Sequence, residues 1–297
     1  MTDMSVNIAG VEFRNPVIAA SGTFGETSLP LVDLSQFGGA VLKGVRLDYN
    51  PGNPPPRINE AYSGIINSVG FQGVGAEDFV KDVRPKFSGT PIIANVWGHT
   101  IEEYAEVTKI LGDSCDMLEI NVSCPNVHNG GKVFGSSAEI LTETVEAVKK
   151  QAKVPIIIKL SPNISDLPTL AKACENAGAD AISLINTILS MDIDINTLKP
   201  FFAKKVAGLS GQAVFPIALR MVWEVANSVN IPVIGLGGIA NGADAIKMLS
   251  VGATAVQVGT QGMIEPMAIP RIAKEMQGIA TAKGFSKISD ITGIANG

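Results

Sequence analysis

The sequence predicts an α/β protein built as a closed (β/α)8 barrel. Three observations carry this: eight short aliphatic runs recur along the chain, longer amphipathic stretches separate them, and most runs end in polar residues or glycine. Near-continuous apolar strands belong to parallel sheets covered on both faces. Strands alternating with helices close into a TIM-type barrel at eight units. The 297 residues exceed an ordinary domain, yet such barrels reach ~250 residues as one unit, so residues 1–297 read as a single domain.

Taken in order, Val6–Phe13 with Ala9-Gly10 at its turn predicts an N-terminal β-hairpin across the barrel's bottom. The eight runs are Val17–Ala20, Ala40–Lys43, Ile92–Asn95, Met117–Asn121, Ile156–Leu160, Ala181–Ile185, Val233–Leu236 and Ala255–Gly259. Several open on Pro-Ile, Pro-Val or Gly-Ala, which punctuate the helix-to-strand turn. Thr100-x-x-Glu103 and Ser136-x-x-Glu139 read as capping boxes that satisfy free helix N–H groups. Behind the second, Ile140, Leu141, Val145 and Val148 share a face, and Glu146 and Lys150 are expected to pair at i, i+4. Gly178 and Gly252 occupy the left-handed position that ends a helix. Two long inserts, Asp48–Arg84 and Met191–Val214, follow the second and sixth strands, where barrel inserts shape the active site.

Composition narrows the function. Hydrophobic residues make up 46% and charged residues 17%, which supports a large buried core. A net charge of −5 without a basic block argues against nucleic acid or an anionic membrane as partner. Three cysteines without disulfide or zinc spacing fit a reducing compartment, and no run reaches the ~18 apolar residues of a membrane span. With no signal-peptide pattern at Met1–Ser5, the expectation is a cytoplasmic protein.

The strand ends list the chemistry: Ser21-Gly22, Lys43-Gly44, Asn95, Asn121 with Cys124, Lys159, Asn186-Thr187, Gly237-Gly238 and Gly259-Thr260. Two lysines, several amides and no carboxylate cluster predict an electropositive mouth for an anionic, amide-bearing ligand rather than a carboxylate-bound metal. The glycines after the seventh and eighth strands, followed by Asn241–Asp244 opening a helix, suit a phosphate held by bare N–H groups and a helix dipole; a tight turn uses glycine as well. No Gly-x-Gly-x-x-Gly fingerprint opens a βαβ unit. Lys159, inside Ile156–Leu160, fits a structural ion pair, a Schiff-base lysine or a permanent cation beside a flavin ring, and spacing does not separate the three. Lys43 suits a substrate carboxylate or a nearby Asp. Cys124, flanked by amides in Asn121-Val122-Ser123-Cys124-Pro125-Asn126, suits proton transfer beside a polar heterocycle. Cys115 and Cys174 read as packing thiols, and His99 and His128 as solvated loop residues. Asn53-Pro54-Pro55-Pro56-Arg57 reads as stiff scaffold for the loop carrying Asn67.

These motifs together resemble the dihydroorotate dehydrogenases, the flavin barrels of pyrimidine biosynthesis, over nearly the whole chain. The resemblance lies in Ala20–Gly25, Asn53–Arg57, Asn67–Phe71, Ile120–Val127, Ile185-Asn186-Thr187, Gly208–Gly211 with Pro216–Arg220, and Gly235–Ile239. Asn121–Val127 followed by Asn129-Gly130-Gly131 is similar to the NAD-linked class 1B catalytic subunit. The quinone-linked class has serine in place of Cys124 and a membrane-docking segment.

The resemblance implies oxidation of (S)-dihydroorotate to orotate, with Cys124 removing the C5 proton and the C6 hydride passing to N5 of flavin mononucleotide (FMN). It implies that Lys43 and the backbone of Asn67, Ser68, Val69, Gly70 and Phe71 hold the substrate carboxylate, while Asn67, Asn121, Asn126, Asn186 and Thr187 read the pyrimidine. Ser21, Lys43, Gly44, Asn95, Asn121, Lys159 and Ile185 would contact the flavin or ribityl chain, and Gly211, Gly237, Gly238, Gly259 and Thr260 the phosphate. It further implies a partner subunit carrying FAD and a [2Fe–2S] cluster, in a heterotetramer around a catalytic homodimer, with NAD as terminal acceptor. The competing readings are a fumarate-linked dihydroorotate dehydrogenase, a Schiff-base lyase using Lys159, a non-catalytic sugar-phosphate-binding barrel and a flavin reductase acting on tRNA.

Overall fold

A computed structural model gives the architecture; it describes residues 1–122 and 137–297, with the backbone of two short paired strands, His128–Asn129 and Lys132–Val133. Cys124, Asn126 and Ser136 lie outside the described residues.

The predicted hairpin forms from Val6–Ile8 and Val11–Phe13, joined by Ala9 and Gly10, both at positive φ, and Gly10 N–H donates to Asn7 Oδ1. Two left-handed residues give the turn the twist that antiparallel strands need. Phe13 is buried against Gly39, at the start of the second barrel strand, where a Cβ would stand 2.8 Å from the Phe13 ring. The hairpin therefore closes the N-terminal end.

The barrel strands are Val17–Ala19, Gly39–Val41, Ile92–Val96, Met117–Asn121, Ile156–Lys159, Ala181–Leu184, Val233–Leu236 and Ala255–Val258. They pair in parallel in chain order, the eighth returning to the first, so the sheet has no edge. Every one of their residues is buried. Helices Ile101–Leu111, Ala138–Gln151, Leu167–Asn176, Phe215–Ala226, Gly242–Ser250 and Ala268–Ala282 follow the third through eighth strands. The first unit departs from the repeat and carries 3₁₀ turns at Glu26–Leu31 and Leu34–Gln36. Pro30 lies inside the former, and its missing N–H and fixed ring oppose an α-helix.

Thr100 caps its helix by accepting from the Glu103 N–H. The Glu103 carboxylate, however, accepts from the His99 N–H and pairs with Arg46 Nε at 2.9 Å. The next helix has Ser137 at its N-cap. Glu146 and Lys150 form no ion pair; neighbouring Lys149 instead meets Asp180 at 2.5 Å, and Asp180 also accepts from Ile156 N–H. Gly178 and Gly252 have φ of +100° and +116°, as the helix ends require.

The two inserts join. Ile58–Ala61 and Gly64–Asn67 from the first pair with Val206–Ser210 and Ile188–Met191 in one four-stranded antiparallel sheet, with Asn67 opposite Gly208. The sheet meets the barrel at its C-terminal rim, where Ser210 Oγ lies 2.9 Å from Thr260 Oγ1. Gly208 has to be glycine here, since a Cβ would fall 2.1 Å from Thr187 Oγ1.

Phe13→Ala opens a cavity beneath the barrel; the expected loss, about 3–5 kcal/mol, is measured by denaturant unfolding.

Candidate active site

Polar side chains interrupt the barrel core in one column. Glu119, in the middle of the fourth strand, is fully buried. Its Oε1 accepts from Asn95 Nδ2 at 2.8 Å and Lys159 Nζ at 3.2 Å; its Oε2 accepts from Gln257 Nε2 at 2.6 Å and Ser183 Oγ at 3.0 Å. The donors come from the third, fifth, eighth and sixth strands, so one carboxylate ties five strands together. Burying a carboxylate is tolerable only with a counter-charge and filled lone pairs, and Lys159 supplies the charge. This settles one open alternative: Lys159 is in a structural ion pair and is not the free amine a Schiff base needs.

Above this layer the amides continue to the mouth. Asn121 Nδ2 donates to Asn95 Oδ1 at 3.4 Å, Asn186 Nδ2 to Asn121 Oδ1 at 3.4 Å, and Thr187 N–H to Asn186 Oδ1 at 2.7 Å. The buried Tyr104 hydroxyl donates to the Asn121 carbonyl at 2.8 Å, fixing the end of the fourth strand from the helix side. Ser21 Oγ donates to the Leu42 carbonyl at 3.0 Å.

Lys43 is half-buried and has no carboxylate partner among the described residues. Burial, and then the like charge of Arg57, hold its pKa below the ordinary lysine value. An uncompensated ammonium beside a guanidinium is a natural seat for an anion. The backbone of the Asn67–Phe71 loop is braced at the same place: Asn53 Nδ2 donates to the Ser68 carbonyl and hydroxyl, Asn53 N–H to the Val69 carbonyl, and Asn50 Nδ2 to the Gly70 carbonyl. Arg57 Nη2 donates to Gln72 Oε1 at 2.6 Å. The Asn53–Arg57 segment thus serves as the scaffold expected of it.

An aromatic clasp, not foreseen from the sequence, fastens that loop to the barrel. Phe71, at positive φ, stacks on Trp97 with ring centroids 4.6 Å apart, and the Arg46 guanidinium lies 5.2 Å from the indole centroid. His99 meets the same indole edge-on. Gly44 admits the indole, since a Cβ there would stand 3.1 Å from both Trp97 Cδ1 and Asn95 Oδ1.

The glycine-rich turns converge on the other side of the mouth. Gly211, Gly237 and Gly238 all have positive φ, and a Cβ on Gly238 would lie 2.8 Å from the Gly211 carbonyl. The N–H groups of Gly237, Gly238 and Gly259 find no acceptor among the described residues. Ile185 backs the cradle: a Cβ on Gly237 would lie 3.1 Å from its side chain. The helix at Gly242–Ser250 does not contribute as expected, because its start is already satisfied. Asn241 accepts from Asp244 N–H, Asp244 from Ala240 N–H, and Glu275 from Gly242 N–H. Cys115 and Cys174 are buried packing thiols; burial raises both pKa values, that of Cys174 to about 12.

A family model described as dihydroorotate dehydrogenase matches residues 3–279. The chain belongs to that family. Over 298 residues it is 49% identical to the dihydroorotate dehydrogenase B (NAD(+)), catalytic subunit, of Caldicellulosiruptor saccharolyticus, covering 99% of each chain. The protein of that name from Alkaliphilus metalliredigens is 48% identical over 296 residues, 98% of each chain. The one from Geobacter sp. strain M21 is 46% identical over 297 residues, 98% of this chain and 97% of that one. Of the residues singled out in the sequence, the structure links Asn95, Asn121, Asn186 and Thr187 in one row, sets Lys159 on the same Glu119 carboxylate as Asn95, and brings Gly211 against Gly238. The sequence reading did not single out every residue of this layer. It missed Glu119, Gln257, Tyr104 and Trp97. A glutamate inside Met117–Asn121, one strand from a lysine inside Ile156–Lys159, was the available signal for the buried pair.

Trp97→Ala releases the clasp. Hydrogen exchange at the amides of residues 67–72 rises, while the hairpin at residues 6–13 keeps its protection.

Proposed function

We propose that this chain oxidises (S)-dihydroorotate to orotate in pyrimidine biosynthesis, using FMN seated at the barrel mouth. The observation that carries the reading is the convergence at one rim of an uncompensated cation, a row of amides and a cradle of open glycine N–H groups, in a chain similar over its full length to NAD(+)-linked catalytic subunits.

The residues present fit FMN. Open N–H groups at Gly237, Gly238 and Gly259, with Gly211 and Thr260 beside them, suit a phosphate dianion. The backbone comes close there because no Cβ intervenes. Ser21, Lys43, Gly44, Asn95, Asn121, Lys159 and Ile185 would hold the ring and the ribityl chain. When bound, FMN supplies the two-electron acceptor.

The chain's own groups do the rest. Lys43, with Arg57 nearby and the braced Asn67–Phe71 backbone, binds the substrate carboxylate, and Asn67, Asn121, Asn126, Asn186 and Thr187 hold the pyrimidine's carbonyl and N–H edges. Cys124 accepts the C5 proton as thiolate. A thiol of ordinary pKa ~8.5 does this only when partly ionised, so neighbouring cations help. Electrons then leave through a partner subunit carrying FAD and a [2Fe–2S] cluster to NAD, in a heterotetramer built around a catalytic homodimer. The words "catalytic subunit" in the relatives' name support a separate partner. No helix among the described residues is long and apolar enough to cross a membrane, in keeping with a cytoplasmic assembly.

The deciding experiment is anaerobic addition of dihydroorotate to the FMN-loaded chain. Loss of the yellow absorption, with orotate formed in equal amount, supports the reading; an unchanged spectrum overturns it. Cys124→Ser slows that bleaching about 100-fold or more at neutral pH, read by stopped flow. Orotate affinity depends on the Lys43 ammonium. It is therefore constant at low pH and falls as pH rises through the Lys43 pKa, in a window beginning below the ordinary 10.5 because that pKa is lowered. Lys43→Met removes this dependence and weakens binding throughout, as measured by titration across pH.

A further inference from the structure

Four successive peptides of the loop after the Gly64–Asn67 strand point the same way. The Ser68 carbonyl accepts from Asn53 Nδ2, the Val69 carbonyl from Asn53 N–H, and the Gly70 and Phe71 carbonyls from Asn50 Nδ2. In a trans peptide the N–H points opposite to the carbonyl. The N–H groups of Val69, Gly70, Phe71 and Gln72 are therefore turned away from Asn50 and Asn53, and none of the four finds an acceptor among the described residues. Gly70 and Phe71, both at positive φ, give the chain this turn in place of a strand's extended course.

Asn50 and Asn53 belong to the same insert as this row, so they set its internal form and not its place against the barrel. Against the barrel the row is held by Phe71, whose ring stacks on Trp97 just past the third strand. Gly73 adds a close approach, since a Cβ there would stand 2.8 Å from the carbonyl of Gly44, next to Lys43. The indole N–H of Trp97 is buried and has no acceptor among the described residues, although a buried tryptophan usually finds one. Its orientation thus rests on the groups packed around it. Besides Phe71 these include His99, edge-on, and Arg46, whose guanidinium lies 5.2 Å from the indole centroid. Arg46 is fixed in turn, its Nε 2.9 Å from Glu103 Oε1 in the first turn of the helix Ile101–Leu111.

We propose that Arg46 is a positioning residue for substrate binding: it pins Trp97 against Phe71 and so holds the N–H row of residues 69–72 in register with Lys43. The inference rests on the dihydroorotate reading above and deepens it, because this row and Lys43 are the groups expected to take the substrate carboxylate. Arg46 is not itself one of those groups. The carboxylate keeps its charge throughout the oxidation, so its seat counts about equally in the ground state and the transition state. Loosening that seat raises the substrate concentration needed and leaves the limiting rate in place.

The test follows anaerobic reduction of the FMN-loaded protein by dihydroorotate in stopped flow, with orotate affinity and unfolding temperature measured alongside. Arg46→Met removes the cation and keeps much of the stem. It raises the half-saturating dihydroorotate concentration and the orotate Kd about 5-fold or more, with the limiting reduction rate within about 2-fold. Phe71→Leu removes the stack and moves the same two quantities. A cation near an anion site also attracts the ligand directly, so the double variant decides between the two routes. In the Phe71→Leu background, Arg46→Met changes orotate affinity by less than about 2-fold. Additive losses mean that Arg46 acts by its charge alone and overturn the proposal. So does an Arg46→Met protein of lowered unfolding temperature and unchanged affinity, the mark of a purely structural role. A wild-type chain that binds no orotate overturns the functional reading instead. Hydrogen exchange at the amides of residues 69–72 still decides whether Arg46 holds the row: Arg46→Met raises it, and unchanged exchange overturns the pin.

Discussion

The ammonium of Lys159 beside the carboxylate of Glu119, sealed inside the barrel, is the constraint on which the mouth is built. Neither charge is stable there alone, and deleting one partner of such a pair costs about 3–5 kcal/mol. The pair survives because each oxygen of Glu119 receives two donors. The carboxylate and its four donors all belong to barrel strands whose register is set by parallel ladders, so the geometry is inherited from the sheet and needs no loop to maintain it. The rows of amides above it begin from a rigid floor.

The mouth itself is made differently. Its cation, Lys43, stands at the end of the second strand, and the Asn67–Phe71 backbone comes from the insert that follows, held by asparagine side chains and by the Phe71–Trp97 stack. Its glycine cradle combines Gly211 from the other insert with turns after the seventh and eighth strands. One layer is thus fixed by strand register, and the layer above it is fixed by side-chain bracing. Lys43 sits at their junction, with its charge left uncompensated by the protein while its neighbour Lys159 is fully paired.

Much of this was legible in the residues. All eight strands were found within two residues at either end, because strands buried on both faces read as aliphatic runs and Pro-Ile or Gly-Ala marks their starts. The hairpin followed from a two-residue turn, and Gly178 and Gly252 from helix ends. The joining of the two inserts was not legible, since pairing of Asn67 with Gly208 spans segments 141 residues apart and no local pattern encodes it. Glu119 was hidden by its aliphatic neighbours. The helix start at Gly242 has the local pattern of an anion site, but its N–H is taken by Glu275, 33 residues further along the chain. Cys124 and Asn126, prominent in sequence, lie outside the described residues.

The sheet over the rim has a consequence for biogenesis. Its halves are supplied by the second and sixth units, and its Ser210 meets Thr260 only after the eighth strand. During synthesis the early insert emerges with its Gly64–Asn67 edge unpaired and waits for more than a hundred residues before Val206–Ser210 arrives to cover it. The rim is therefore complete only late in ribosomal synthesis, and a chain truncated before Val206–Ser210 exposes a sticky β-edge.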